Sequence, residues 1–131
     1  MGARSSRNLT LDAGALIAFD RGDSRVRQVI REAIDREVDI AIPAGALAQA
    51  WRNGSRQARL GVLVADRSTR TEPLTELIAR AAGALCGRAK TSDVIDASVV
   101  LCARRQGNAV VLTSDPNDLA LLDPQIRVAT V

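Results

Sequence analysis

The sequence predicts an α/β fold, a central and mainly parallel β-sheet with helices on both faces. Three observations carry this. Short apolar runs bounded by turn residues alternate with stretches of helical periodicity along the whole chain, which is the pattern of strand–helix–strand units. Apolar residues make up 47% of 131, enough for one core. No internal repeat, low-complexity segment or composition shift marks a boundary, so 1–131 is expected to form a single domain, with 1–7 flexible.

Residues 8–13 read as a short, buried first strand with Leu9 and Leu11 inward. Residues 14–19 stay apolar and start a helix, and 21–24 are a turn-like break. Val26, Val29, Ile30, Ala33 and Ile34 fall at helical spacing, so 24–37 is an amphipathic helix with Ser24 as its N-cap. A second strand, 38–42, is stopped by Pro43. Helix resumes at 45–51, breaks at Asn53 and Gly54, and continues over 55–64. Residues 67–74 are polar and β-branched, which suits a short edge strand. Leu77, Ile78, Ala81 and Leu85 share a face of a helix over 75–87. A link at 88–91 leads to a helix over 92–106, ended by Gly107 and Asn108. A third buried strand (109–113), a short helix (117–122) and a final strand (126–131) complete the chain.

Eighteen basic residues against fifteen acidic give a net charge of +3, weak evidence alone for a nucleic-acid partner. One Phe and one Trp leave the core to Leu, Val, Ile and Ala. Cys86 and Cys102, the only cysteines, lie in apolar helical patterns and read as reduced core thiols. No signal peptide or membrane span is expected, which points to the cytoplasm. Gly2 and Ser6 match the loose myristoylation pattern, a match too cheap to weigh.

Four aspartates stand out: Asp12 ends the first apolar run, Asp93 and Asp96 open the 92–106 helix, and Asp115 follows the third strand. In open α/β sheets, ligands bind at the carboxyl ends of the strands, where all four are expected. There is no His and no Tyr, so a site built here is built of carboxylates. Clustered carboxylates repel unless a hard cation such as Mg²⁺ or Mn²⁺ neutralises them. Asp12 in a buried strand is expensive unless paired or ligated. Asp93 and Asp96 also suit a helix N-terminus through capping and the macrodipole. Asp115 before Pro116 also reads as an N-cap. Asp118 fits best in the first turn of the short helix. A phosphoacceptor domain also gathers aspartates at strand ends, but Asp12 stands alone and the only Lys, Lys90, precedes the Asp-bearing helix.

Three stretches, LTLDAGALIA, DVIDASVVLCARRQGNAVVLTSD and the PNDL that follows, resemble in order and spacing the PIN domain of the VapC-type ribonuclease toxins. That resemblance implies a single PIN-like domain acting as a metal-dependent endoribonuclease. It places the family acids on Asp12, Asp96 and Asp115, with Asp93 beside them and the hydroxyls of Thr113 and Ser114 next to the last acid. It implies one or two Mg²⁺ or Mn²⁺ ions on these aspartates and RNA products with 5′-phosphate and 3′-hydroxyl ends. It also implies a homodimer and a cognate VapB-type antitoxin that offers a basic side chain to the acidic site. One position departs: where the family carries a Glu on the helix after the second strand, this chain has Gln49. The alternative expectation is therefore a catalytically weakened PIN-like domain that binds RNA or protein. Arg52, Arg56 and Arg59, spaced at helical intervals, are candidate RNA contacts, as are Arg104 and Arg105. Trp51 suits the core or a dimer interface better than a stacked base.

Overall fold

The computed structural model describes residues 8–131. The flexibility expected for 1–7 and the Gly2/Ser6 pattern lie outside the described residues. Five strands among the described residues, β1 (Asn8–Leu11), β2 (Asp39–Pro43), β3 (Thr69–Glu72), β4 (Val110–Thr113) and β5 (Val128–Thr130), form one sheet in the order β3-β2-β1-β4-β5. Every neighbouring pair is parallel. Seven α-helices among the described residues connect or follow them: α1 (Ala13–Asp20), α2 (Ser24–Asp35), α3 (Ala44–Ala50), α4 (Ala58–Ala65), α5 (Glu76–Ala89), α6 (Val94–Arg105) and α7 (Pro116–Leu122).

Consecutive strand residues point to opposite sides of a sheet. Leu9, Thr10 and Leu11 in β1, Ile40, Ala41 and Ile42 in β2, and Val111, Leu112 and Thr113 in β4 are all buried. Both faces of the sheet centre are therefore covered, as a parallel sheet requires. The core is aliphatic: Leu16, Val26, Ile30, Leu60, Leu63, Val99, Val100 and Leu119 close over the strands. Cys86 and Cys102 are free and buried, and burial pushes the Cys102 thiol up to about 11, which leaves it unreactive.

Several element ends differ from expectation for identifiable reasons. The first strand stops at Leu11 because Asp12 turns out of it to cap α1. The cap of α2 is Asp23, whose Oδ1 accepts from the Arg25 and Val26 N–H groups, and Ser24 is already helical. Pro43 is the last residue of β2 rather than a stop before it. The helix expected over 55–64 is divided into a short 3₁₀ turn (Gly54–Arg56) and α4, separated by the buried Gln57. The polar third strand is the sheet edge, as expected, but only four residues long.

Candidate active site at the carboxyl rim of the sheet

Strands β1, β2 and β3 run outward to one side of β1, while β4 and β5 lie on the other. The order reverses between β1 and β4, and such a switch point opens a crevice at the strands' carboxyl ends. Asp12 directly follows β1 and Asp115 follows β4 with only Ser114 between. Register pairs Leu11 with Leu112, so the two chains leave the sheet side by side.

Asp12 is only 4% exposed. Its Oδ1 accepts the Ala15 N–H at 2.8 Å, so it does cap α1. Burial pushes its carboxyl above the ordinary range, opposed by the Thr113 hydroxyl and the Ala15 and Gly14 N–H groups, while the charge of Asp115 pushes it up further. Thr113 is fully buried. Its Oγ1 accepts the Asp115 N–H at 2.9 Å and its hydroxyl meets the Asp12 carboxylate. One threonine thus ties both strand-end acids together. Ser114 reaches over Gly14: a Cβ at Gly14 would lie 2.6 Å from Ser114 Oγ. The absence of a side chain there lets the two strand exits close up. Ser114 Oγ lies 3.5 Å from Asp115 Oδ2, a marginal contact.

Asp115 sits at the N-cap position of α7 without making a side-chain capping bond. Its exposed carboxylate is not spent on the helix. Asp93, in contrast, caps α6, its Oδ1 accepting the Asp96 N–H at 3.0 Å. Asp96, half-buried one turn in, is pushed up to about 7. Burial is the main cause, followed by Asp93 beside it and then the charges of Asp12 and Asp118. Asp118 occupies the first turn of α7, as expected, yet its field reaches Asp96. Five aspartates from the ends of β1 and β4 and the starts of α6 and α7 therefore share one rim. No three Asp, Glu, Cys or His groups among the described residues converge into a ready-made metal cage. Asp12, Asp96 and Asp115 are the oxygen donors a hard cation could use here.

The remaining candidates disperse. Gln49 is exposed on α3 and lines a cavity of about 410 Å³ with Arg52 and Arg56, which none of the five rim aspartates lines. Arg59 instead lies across Gly22, donates to the Asp20 carbonyl at 3.3 Å and faces a different groove. Arg104 pairs with Asp123 at 3.2 Å and Arg105 with Glu72, so both serve as structural ion pairs far down α6. Trp51, expected in the core or an interface, is 39% exposed. Gln57 had no signal in the sequence, yet it is a buried amide with all its groups occupied. Its Oε1 accepts the Arg52 and Asn53 N–H groups, and its Nε2 donates to the Ala50 carbonyl and Asp20 Oδ2.

No protein-family model matches this sequence, and no curated protein matches it. Among solved structures, the chain is similar to a chain of the crystal structure of VapBC2 from Rickettsia felis bound to a DNA fragment from their promoter. The TM-score is 0.66 at 12% sequence identity, covering 94% of this chain and 98% of that one. The fold is PIN-like. At that identity the likeness speaks for the fold alone. No helix among the described residues is long and apolar enough to cross a membrane.

Proposed function

We propose that this chain is a Mg²⁺- or Mn²⁺-dependent endoribonuclease and the toxin component of a type II toxin–antitoxin pair. The observation that carries the reading is Asp96: acids from four elements meet at one rim, and burial first, then Asp93 and the charges of Asp12 and Asp118, push its carboxyl up to about 7. A buried carboxylate, Asp12, and a half-buried one, Asp96, beside further acids cost stability unless a cation relieves them. The donor set, carboxylate oxygens alone, suits Mg²⁺, which is held by one or two carboxylates and keeps several waters. A bound ion would supply an acidified water and positive charge beside the scissile phosphate. Asp12, fixed by Ala15 and Thr113, and Asp96 would hold it. Asp115 would face the substrate side, and Asp93 would orient Asp96 through the α6 cap. Hydrolysis would leave 5′-phosphate and 3′-hydroxyl ends.

The test is incubation of the purified, partner-free protein with cellular RNA in Mn²⁺, Mg²⁺ or EDTA, beside Asp96→Asn. Discrete cuts that need metal and fall at least about a hundredfold in the variant are expected. RNA bound but left whole in every metal would favour the second reading, a non-cutting RNA-binding domain. That reading has Gln49 behind it, since the family resemblance implies an acid at this place in the sequence and this chain has a neutral amide.

A VapB-type partner also has a surface that suits it. Phe19, Ile30, Ile34 and Val62 line an apolar groove of about 380 Å³ between α2 and α4, flanked by Arg27, Arg31 and Arg59. Val62 is 72% exposed. An apolar segment with acidic flanks would cover the groove and neutralise its rim. Val62→Asp is expected to weaken the co-expressed complex about tenfold, read by surface plasmon resonance, while leaving cleavage by the free chain unchanged. Unchanged affinity would place the partner elsewhere. A second copy of the chain is part of the same proposal, with the exposed Leu74 and Leu77 as apolar surface for it.

A further inference from the structure

Without its cation a rim of aspartates repels RNA, so a separate cationic surface would hold the strand. The cavity beside Gln49 has that character. Arg21, Arg52 and Arg56 line it against a single carboxylate, Asp20, and Asp20 Oδ2 already accepts from Gln57 at 3.1 Å. The guanidinium groups of Arg21 and Arg56 enter no hydrogen bond or ion pair among the described residues. Arg52 is fixed in place, its Nη1 donating to the carbonyls of Ala48 at 3.1 Å and Trp51 at 2.8 Å. The floor is rigid because Gln57 ties residues 50, 52 and 53 to α1 through four hydrogen bonds.

We propose that this cavity is a phosphate subsite for the RNA strand, with Arg21, Arg52 and Arg56 holding a backbone phosphodiester and the Gln49 amide donating to it. The proposal rests on the RNA reading above and adds where the strand is held. Arginine forks match phosphate oxygens in geometry as well as charge. A carboxylate at position 49 would oppose a phosphate among these arginines, whereas an amide N–H₂ is a donor. The residue that departs from the family acid thus has a positive use on the substrate side. Position supports the same assignment. Asp12 caps the start of α1 and Asp20 ends it, and eight helical residues span about 12 Å. A strand lying along α1 reaches both the rim and the cavity. Beside it, the Trp51 indole rests on Gly54, where a Cβ would come within 2.8 Å of Cζ2, and the ring keeps an exposed surface that an unpaired base could stack on.

The test is fluorescence anisotropy with a short fluorescein-labelled single-stranded RNA in EDTA, across a salt series. The Arg21→Ala/Arg56→Ala double variant is expected to bind about tenfold more weakly, with the log K against log salt slope reduced by about 0.7 per lost phosphate contact. Gln49→Glu should weaken binding about threefold or more through like-charge repulsion. Arg36→Ala, just before β2 beside the amino ends of the strands, should bind as wild type; circular dichroism confirms that each variant is folded. Wild-type binding that both the double variant and Gln49→Glu retain, or an equal loss in Arg36→Ala, overturns the subsite while leaving the RNA reading intact. No binding by the wild type overturns both.

Discussion

At pH 8 and without divalent metal, Asp96→Asn should be more stable than the wild type. Asp96 titrates near 7 in the folded chain against an ordinary 3.8. A carboxyl whose folded pKa is raised contributes stability that is fully present below the unfolded value, fades as pH rises between the two, and is gone above the folded value. Wild-type stability from this group therefore falls from about pH 4 to about pH 7. Because Asp96 is only half-buried, solvent screens the effect, and about 1–2 kcal/mol is the reasonable size. Asparagine removes the ionisable group and with it the slope. Thermal melts of both proteins at pH 5 and pH 8 in EDTA check this: the curves should separate at pH 8 and approach each other at pH 5. Parallel losses at both pH values would mean that burial and the neighbouring acids do not raise the Asp96 carboxyl in the folded chain.

Gln57→Ala should destabilise the fold by about 2–4 kcal/mol, since it leaves the Arg52 and Asn53 N–H groups and the Ala50 carbonyl without their partner. This amide is 8% exposed and is the only link from the loop after α3 to Asp20 among the described hydrogen bonds. Urea denaturation gives the figure directly. A loss under about 0.5 kcal/mol would mean that water replaces the amide readily and that the loop is not the rigid floor drawn above. Because the same loop presents Arg52 and Trp51, the variant should also bind RNA more weakly than its stability loss alone would cause.

The strand–helix alternation was legible because apolar runs such as Leu9–Leu11 and Val111–Leu112 have no other stable home than a covered sheet. The parallel order followed from the helices between them. Element ends were less legible where a side chain competed with the backbone: Asp12 and Asp23 end or start elements by capping, and capping depends on a rotamer as well as on residue type. The rim aspartates could be found because each stands next to an apolar run, where a carboxylate is costly. Asp118 carried a weaker signal, since its place in the first turn of α7 is what the helix dipole alone would favour; only its field at Asp96 joins it to the rim. Gln57 gave no signal at all. Its role comes from contacts with residues 20, 50, 52 and 53 that exist only once α1 and α3 are packed together. The arginines split for the same reason: Arg52 and Arg56 share a cavity, while Arg59 lies on the other side of the loop against Gly22, which their helical spacing in the sequence does not reveal.

If the aspartate rim is a cation site, calorimetric titration of the metal-free protein with Mn²⁺ at pH 7.5 should show saturable binding of one or two ions. Proton release from Asp96 should be visible as a buffer-dependent heat, and the binding should be lost in Asp12→Asn and Asp96→Asn. A folded wild-type protein that takes up no Mn²⁺, or binds it equally well without either aspartate, would mean that the rim is not a cation site.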